Sequence, residues 1–307
     1  MKKILVSGLI DLEITLNINE FPIYYSPIEY LFNKINCSIS GVGFNVAKAL
    51  KILGADVSFL SIIGNDFSKE IIFNELKKLN IPGNYVLPII KNSAQSIIMY
   101  DKRGERKIYV DLKDIQTQNY PIDKFEEAIK DCEIAILCNI NFSRVLLKKA
   151  KEIKIPIATD VHTIASLDDE YNYDFLQSAN ILFMSNEYIK EDLKVWAKKI
   201  FNKFSTEILV IGCGKQGALL SVRKDNFIEF IPAKKPKQII NTIGAGDILF
   251  STFIYYYQKT KDPYIAIEKA QFHSAYKIGW NGGAEGFLSE EELEQFIKNV
   301  NWHFYFL

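Results

Sequence analysis

Residues 241–247 read Asn-Thr-Ile-Gly-Ala-Gly-Asp. A β-prone run, Gln238-Ile239-Ile240, leads into them, and an apolar, helix-forming run, Ile248-Leu249-Phe250, leads out. Gly244 and Gly246 permit backbone conformations and close ligand approaches that other residues do not. A helix that starts here turns unpaired N–H groups and its positive dipole end toward one point, which makes an anion site. Asp247 puts a carboxylate at that same point. Donors for a phosphate charge beside a base for an attacking hydroxyl are what phosphoryl transfer needs. The same residues also fit an ordinary Gly-rich turn with Asp247 near a helix N-cap.

A second Gly-rich segment bears on that choice. Residues 40–54 read Ser-Gly-Val-Gly-Phe-Asn-Val-Ala-Lys-Ala-Leu-Lys-Ile-Leu-Gly. Gly41 and Gly43 precede a helical pattern in which Val46, Ala47, Leu50 and Leu53 share a face, and Gly54 is placed to end it. Asn45 stands at the helix start with a side chain that both donates and accepts, which suits a sugar hydroxyl. Capping of the helix is the plainer role for such an Asn.

Together the two segments resemble the ribokinase-like (PfkB) family of carbohydrate and nucleoside kinases. That family carries Gly-Gly-x-x-x-Asn near its N-terminus and Asp-Thr-x-Gly-Ala-Gly-Asp near its C-terminus. Both patterns occur here in that order, each changed at its first residue, about two hundred residues apart, and the resemblance runs through essentially the whole chain. It implies a three-layer α/β fold, with a central, mostly parallel sheet and a small β lid over the substrate. It implies ATP as phosphoryl donor and Mg2+ as cofactor, with a sugar or sugar-like small molecule as acceptor.

The resemblance also carries residue roles. Asp247 is the expected general base. The 244–247 backbone, Gly244, Ala245 and Gly246 with Asp247, is the expected anion hole, and the helix end should keep Asp247 ionised at neutral pH. Asp11, Glu13, Gly41, Asn45 and Arg106 match substrate contacts. Asn186, Gly214, Gly217, Thr242 and His273 fall where the nucleotide binds. For Asp11, Glu13, Arg106 and His273, a solvated or structural role is the alternative. Glu187 is the one candidate for magnesium, since Ile189 stands where the family's Asn-x-x-Glu element has Glu. Two further departures are Ser40 for the first Gly of the pair and Asn241 for an Asp. That Asp often helps bind a monovalent cation, near a turn matched here by Gly282-Gly283-Ala284, so only weak potassium dependence is expected. A nucleoside kinase, or a degenerate member that binds a metabolite without phosphorylating it, are the alternatives. A dinucleotide-binding dehydrogenase is disfavoured, because Gly41-Val42-Gly43 lacks the third spaced Gly.

Composition agrees with a cytoplasmic enzyme. The chain has 307 residues, 48% hydrophobic, with 37 basic and 37 acidic residues that cancel. A neutral chain offers no basic stripe for nucleic acid or an anionic membrane. The Met1–Val6 run is too short and too soon followed by Asp11 and Glu13 for a signal peptide, and no apolar run approaches a membrane span. Cys37, Cys132, Cys138 and Cys213 show no metal-ligand or disulfide spacing.

Strand-like and helix-like runs alternate, as in a parallel sheet covered by helices. Strands are expected over 4–7, 57–63, 134–137, 157–159, 181–184 and 208–211. Helices are expected over 46–53, 68–79, 144–153, 188–200, 246–257, 264–278 and 290–300. Residues 12–36 and 93–111 break the alternation and read as β-rich pieces of one antiparallel lid. Gly104 supplies the turn between Gln95–Tyr100 and Arg106–Val110. The expectation is a single domain over 1–307 carrying this discontinuous lid, whose exposed edges could also join two subunits.

Overall fold

Along β1 (Lys3–Ser7), Ile4 and Val6 belong to one hydrophobic core and Leu5 to another. A strand buried on both faces carries core residues at successive positions, and β4 (Val57–Gly64) is buried over all its length. These strands set up a layer of sheet between two layers of helix. The structure is a computed structural model that describes residues 3–304.

The chain next forms β2 (Asp11–Asn17), β3 (Ile35–Ser40), β5 (Val86–Ile90), β6 (Gln95–Tyr100), β7 (Arg106–Asp111) and β8 (Cys132–Leu137). Then come β9 (Ile157–Thr163), β10 (Ile181–Ser185), β11 (Ile208–Gly212), β12 (Gly217–Val222) and β13 (Phe227–Pro232). Seven of these join β1 and β4 in the central sheet, in the order β13-β12-β11-β10-β9-β8-β1-β4-β5. It is parallel from β5 to β11, and β12 and β13 add an antiparallel edge.

One face is covered by α1 (Val42–Ile52), α2 (Ser68–Lys78), α7 (Ala245–Thr260), α8 (Pro263–Lys277) and α9 (Glu290–Phe304). The other is covered by α3 (Ile122–Ala128), α4 (Asn141–Glu152), α5 (Tyr173–Ser178) and α6 (Leu193–Lys203). Helix α6 starts at Leu193 rather than at Tyr188 as the pattern predicts. Asp192 caps it, accepting from the N–H groups of Lys194 and Val195.

The small sheet runs β3-β2-β6-β7. The expectation of an antiparallel sheet needs correction. The β2–β3 and β6–β7 pairs are antiparallel, but β2 and β6 pair in parallel. Two separate excursions of the chain therefore meet side by side. The expected β-rich stretch 12–36 is also narrower: no strand is assigned over 18–34, where Pro22 and Pro27 lack the N–H a ladder requires. Residues 8–10 alone link β1 to β2, so the small sheet hangs from the carboxyl edge of the central one. That edge is where open α/β sheets bind ligands. No helix among the described residues is long and apolar enough to cross a membrane.

Candidate active site

The two Gly-rich segments meet where α1 and α7 lie side by side. Asn45 donates through Nδ2 to Oδ2 of Asp247 at 2.7 Å, across 202 residues of sequence. Its Oδ1 accepts from Ser40 Oγ at 3.1 Å. Asn45 is therefore no helix cap; Gly41 holds that position, with φ of 100°. A Cβ at Gly41 would come within 2.7 Å of the Leu9 carbonyl, so the turn requires glycine.

Helix α7 opens at Gly244, which has φ of 75°. The helical ladder begins when Ile248 donates to the Gly244 carbonyl. The N–H groups of Gly246 and Asp247 precede it, as the first turn of any helix leaves them. Ala245 instead turns its N–H back toward the Thr242 carbonyl at 3.3 Å, which weakens it as an anion donor. The two glycines differ in purpose. A Cβ at Gly244 would lie 2.2 Å from the Gly283 carbonyl oxygen, whereas one at Gly246 would meet nothing within 4 Å. Open space for a ligand thus lies beside Gly246.

Asp247 is half-buried. Burial pushes its carboxyl up to about 6, with Asp160 and Glu13 adding repulsion, while the Asn45 hydrogen bond and His162 pull it down. Burial raises this acid above an ordinary aspartate, yet it stays on the ionised side at neutral pH, as expected of a carboxylate at a helix start. A carboxyl near 6 is a better base than an ordinary aspartate and remains mostly ionised at neutral pH. Asp160 and His162, at the end of β9, escaped the sequence reading. Asp160 accepts the His162 backbone N–H at 2.8 Å, and the two side chains act on the Asp247 carboxyl in opposite directions.

Glu13 and Asp11 sit two apart on β2 and are both buried, so neither is the solvated edge acid that was the alternative. Glu13 accepts the Gly283 N–H at 3.0 Å. A Cβ on Gly283 would lie within 3.2 Å of Ser40, Glu13 and Asn45 side-chain atoms, which places all three around one point. Asp11 Oδ1 is buried with no partner. Burial lifts its carboxyl to about 7, against a Ser96 hydrogen bond and with repulsion from Glu13.

Arg106, on β7, reaches the loop before α7. Its Nη1 donates to the Thr242 carbonyl and hydroxyl, and its Nη2 stands 4.0 Å from Glu187. Thr242, Arg106 and Glu187 thus share a rim with the start of α7. Asn186 follows β10 and donates its N–H to Gly212, which lies just before Gly214 on the next strand's exit. Gly214 is exposed with φ of 54°, and Gly217 has φ of 114° with no room for a Cβ beside Ile231.

His273 does not join this group. It is fully buried, shares a hydrogen with Thr252 through Nδ1 and accepts the Leu288 N–H through Nε2. Burial, with the Lys277 charge, drives its imidazole down to about 3. Both ring nitrogens are consumed inside the core, so no edge remains for a nucleotide.

The model of the pfkB family of carbohydrate kinases matches residues 1–168 and 171–288. The chain belongs to that family. Among its pfkB relatives is the bifunctional protein HldE of Campylobacter jejuni subsp. doylei, 24% identical over 274 residues, covering 84% of this chain and 56% of the relative. The chain thus spans about half the length of such relatives. A deoxyribokinase of Salmonella typhi is 24% identical over 313 residues, covering 95% of this chain and 97% of the relative. Among solved structures, a microbiome-derived acarbose kinase superposes with a TM-score of 0.87 at 21% identity, over 97% of this chain and 99% of that one. This likeness establishes the three-layer fold with its small second sheet.

Proposed function

We propose that the chain transfers the terminal phosphoryl group of ATP to a hydroxyl of a sugar or sugar-like molecule. The hydrogen bond between Asn45 and Asp247 carries this reading. It puts an amide that can read a hydroxyl against a half-buried carboxylate, at the start of a helix with free N–H groups.

In this reading an acceptor hydroxyl lies against Asp247, which takes its proton as the oxygen attacks. The N–H groups of Gly246 and Asp247, with the backbone from Gly244 to Ala245, receive the charge of the moving phosphoryl group. Glu13, Asp11, Gly41 and Asn45 hold the other hydroxyls. The surroundings are acids, amides and hydroxyls, which favours a polyol over a flat base. Asn186, Thr242, Gly214 and Gly217 border the nucleotide. Arg106 closes the small sheet over the site as a lid, so that water is excluded.

Magnesium needs no protein cage in this reading. Glu187 is a single exposed acid, and among the described residues no group of three His, Cys, Asp or Glu could hold a metal. Magnesium commonly keeps its waters and binds substrate phosphates, which suits such a site. The lid also leaves Tyr24, Tyr25, Tyr30 and Phe32 largely exposed, and self-association through that edge is part of the proposal.

The test is ADP release over a panel of sugars, sugar derivatives and nucleosides. Turnover with a sugar-like acceptor above the ATPase background is expected. Preference for a nucleoside would move the substrate class. Binding of panel members without phosphorylation would overturn the kinase reading.

A further inference from the structure

Lys277 ends α8 with its side chain fully buried. A buried ammonium is tolerated only where other groups answer its charge. Its Nζ donates to the Gly282 carbonyl at 2.8 Å. The carboxylates it feels are those of Asp247, Glu13 and Glu285, which offset part of the cost of burial.

The turn it grips is central to the site. One residue on, Gly283 gives its N–H to Glu13. The Gly283 carbonyl presses on Gly244, where any Cβ would sit 2.2 Å from it. A single turn therefore touches an acid of the acceptor pocket on one side and the cap of the anion-hole helix on the other.

A monovalent cation held by backbone carbonyls of this turn does not fit the residues present. The Gly282 carbonyl already accepts from an ammonium. Asn241 brings no charge, and it is buried with its side chain spent on the Ile243 N–H at 3.1 Å and on Asn281 at 3.5 Å. We propose that the Lys277 ammonium is a built-in substitute for an exchangeable monovalent cation. It is a positioning residue that fixes the 282–284 turn, and through it Glu13 and Gly244.

The activity arm of the test rests on the kinase reading; the melting arm does not. Thermal unfolding and phosphoryl transfer are measured in potassium, ammonium, sodium and choline chlorides at equal ionic strength. Wild type is expected to melt and turn over alike in all four. Lys277→Met should keep the fold and lose roughly 10–100-fold in rate, the usual effect of removing a group that orients a site. Lys277→Ala leaves a polar hole, and potassium or ammonium should raise its melting temperature above that in choline and restore part of its rate. A wild type stabilised or activated by potassium over sodium would overturn the proposal. So would a Lys277→Met enzyme of wild-type rate, or a folded Lys277→Ala chain that melts alike in every salt. If wild type phosphorylates nothing in the panel, the kinase reading falls while the melting comparison still decides the role of Lys277.

Discussion

Arg106 donates to both the carbonyl and the hydroxyl of Thr242, at 3.1 and 2.9 Å, and so fastens the small sheet to the loop that opens α7. A guanidinium with two bonds is a mechanical link as well as a charge. Hydrogen exchange should show it. With substrate and a nonhydrolysable ATP analogue, protection is expected to rise together in residues 11–17, 35–40 and 95–111. In Arg106→Ala the gain in 95–111 should shrink. Protection of one segment while the other stays unchanged would mean that they do not close as a unit.

Asp247→Asn should keep the fold and lose about 10²–10⁴-fold in turnover, the range for loss of a general base. In wild type the rate should climb with pH through about 6, as the Asp247 carboxyl ionises, and this acidic limb should vanish in the mutant's residual activity. Near wild-type turnover in Asp247→Asn would defeat the assignment.

Asp11 gives a stability signature of opposite sense to most carboxylates. Its carboxyl is raised to about 7, so the folded state keeps a proton that the unfolded chain has already released above about pH 4. Fewer protons on the unfolded state mean that stability falls as pH rises across that window. Asp11→Asn should flatten the fall and stabilise the protein at pH 8, by roughly 4 kcal/mol at most. Denaturant melts at about pH 5 and pH 8 would measure it. Equal pH dependence in wild type and mutant would refute the assignment.

Gly244 and Gly246 should separate under alanine substitution. Gly244→Ala faces a left-handed backbone, costing at least about 1–2 kcal/mol, and a collision with the Gly283 carbonyl. It should lower the melting temperature. Gly246→Ala meets no protein atom and should melt like wild type or slightly higher, yet weaken ATP binding by intruding on the open space. Isothermal titration beside melting curves tests both. A Gly246→Ala chain with unchanged nucleotide affinity would argue against a ligand there.

The layers were legible in the sequence because long apolar runs at two periods, such as 57–63 and 246–257, admit little ambiguity. The short α3 and α5 were missed, as were β5 and β13, since a few residues carry little periodic signal. The parallel pairing of β2 with β6 could not be read, because pairing between distant excursions leaves no local trace. At the site, the glycines and Asp247 were visible as a motif. Asp160 and His162 were not, since their relation to Asp247 exists only in three dimensions. Lys277 left a signal that went unused: with Ala266, Ala270 and His273 it follows the apolar stripe of α8, where a charge demands a reason.

The hydrogen bond from Gly283 to Glu13 spans 270 residues, and it gives the proposed acceptor pocket an order of birth. During synthesis the acids at 11 and 13 emerge well before the turn and the ammonium that answer them. Contacts so far apart in sequence form late and slowly. A nascent chain is thus expected to build its central parallel strands while the pocket stays unformed. On the proposed kinase reading, an incomplete chain should then be unable to sequester an acceptor or spend ATP, however well its first half has folded.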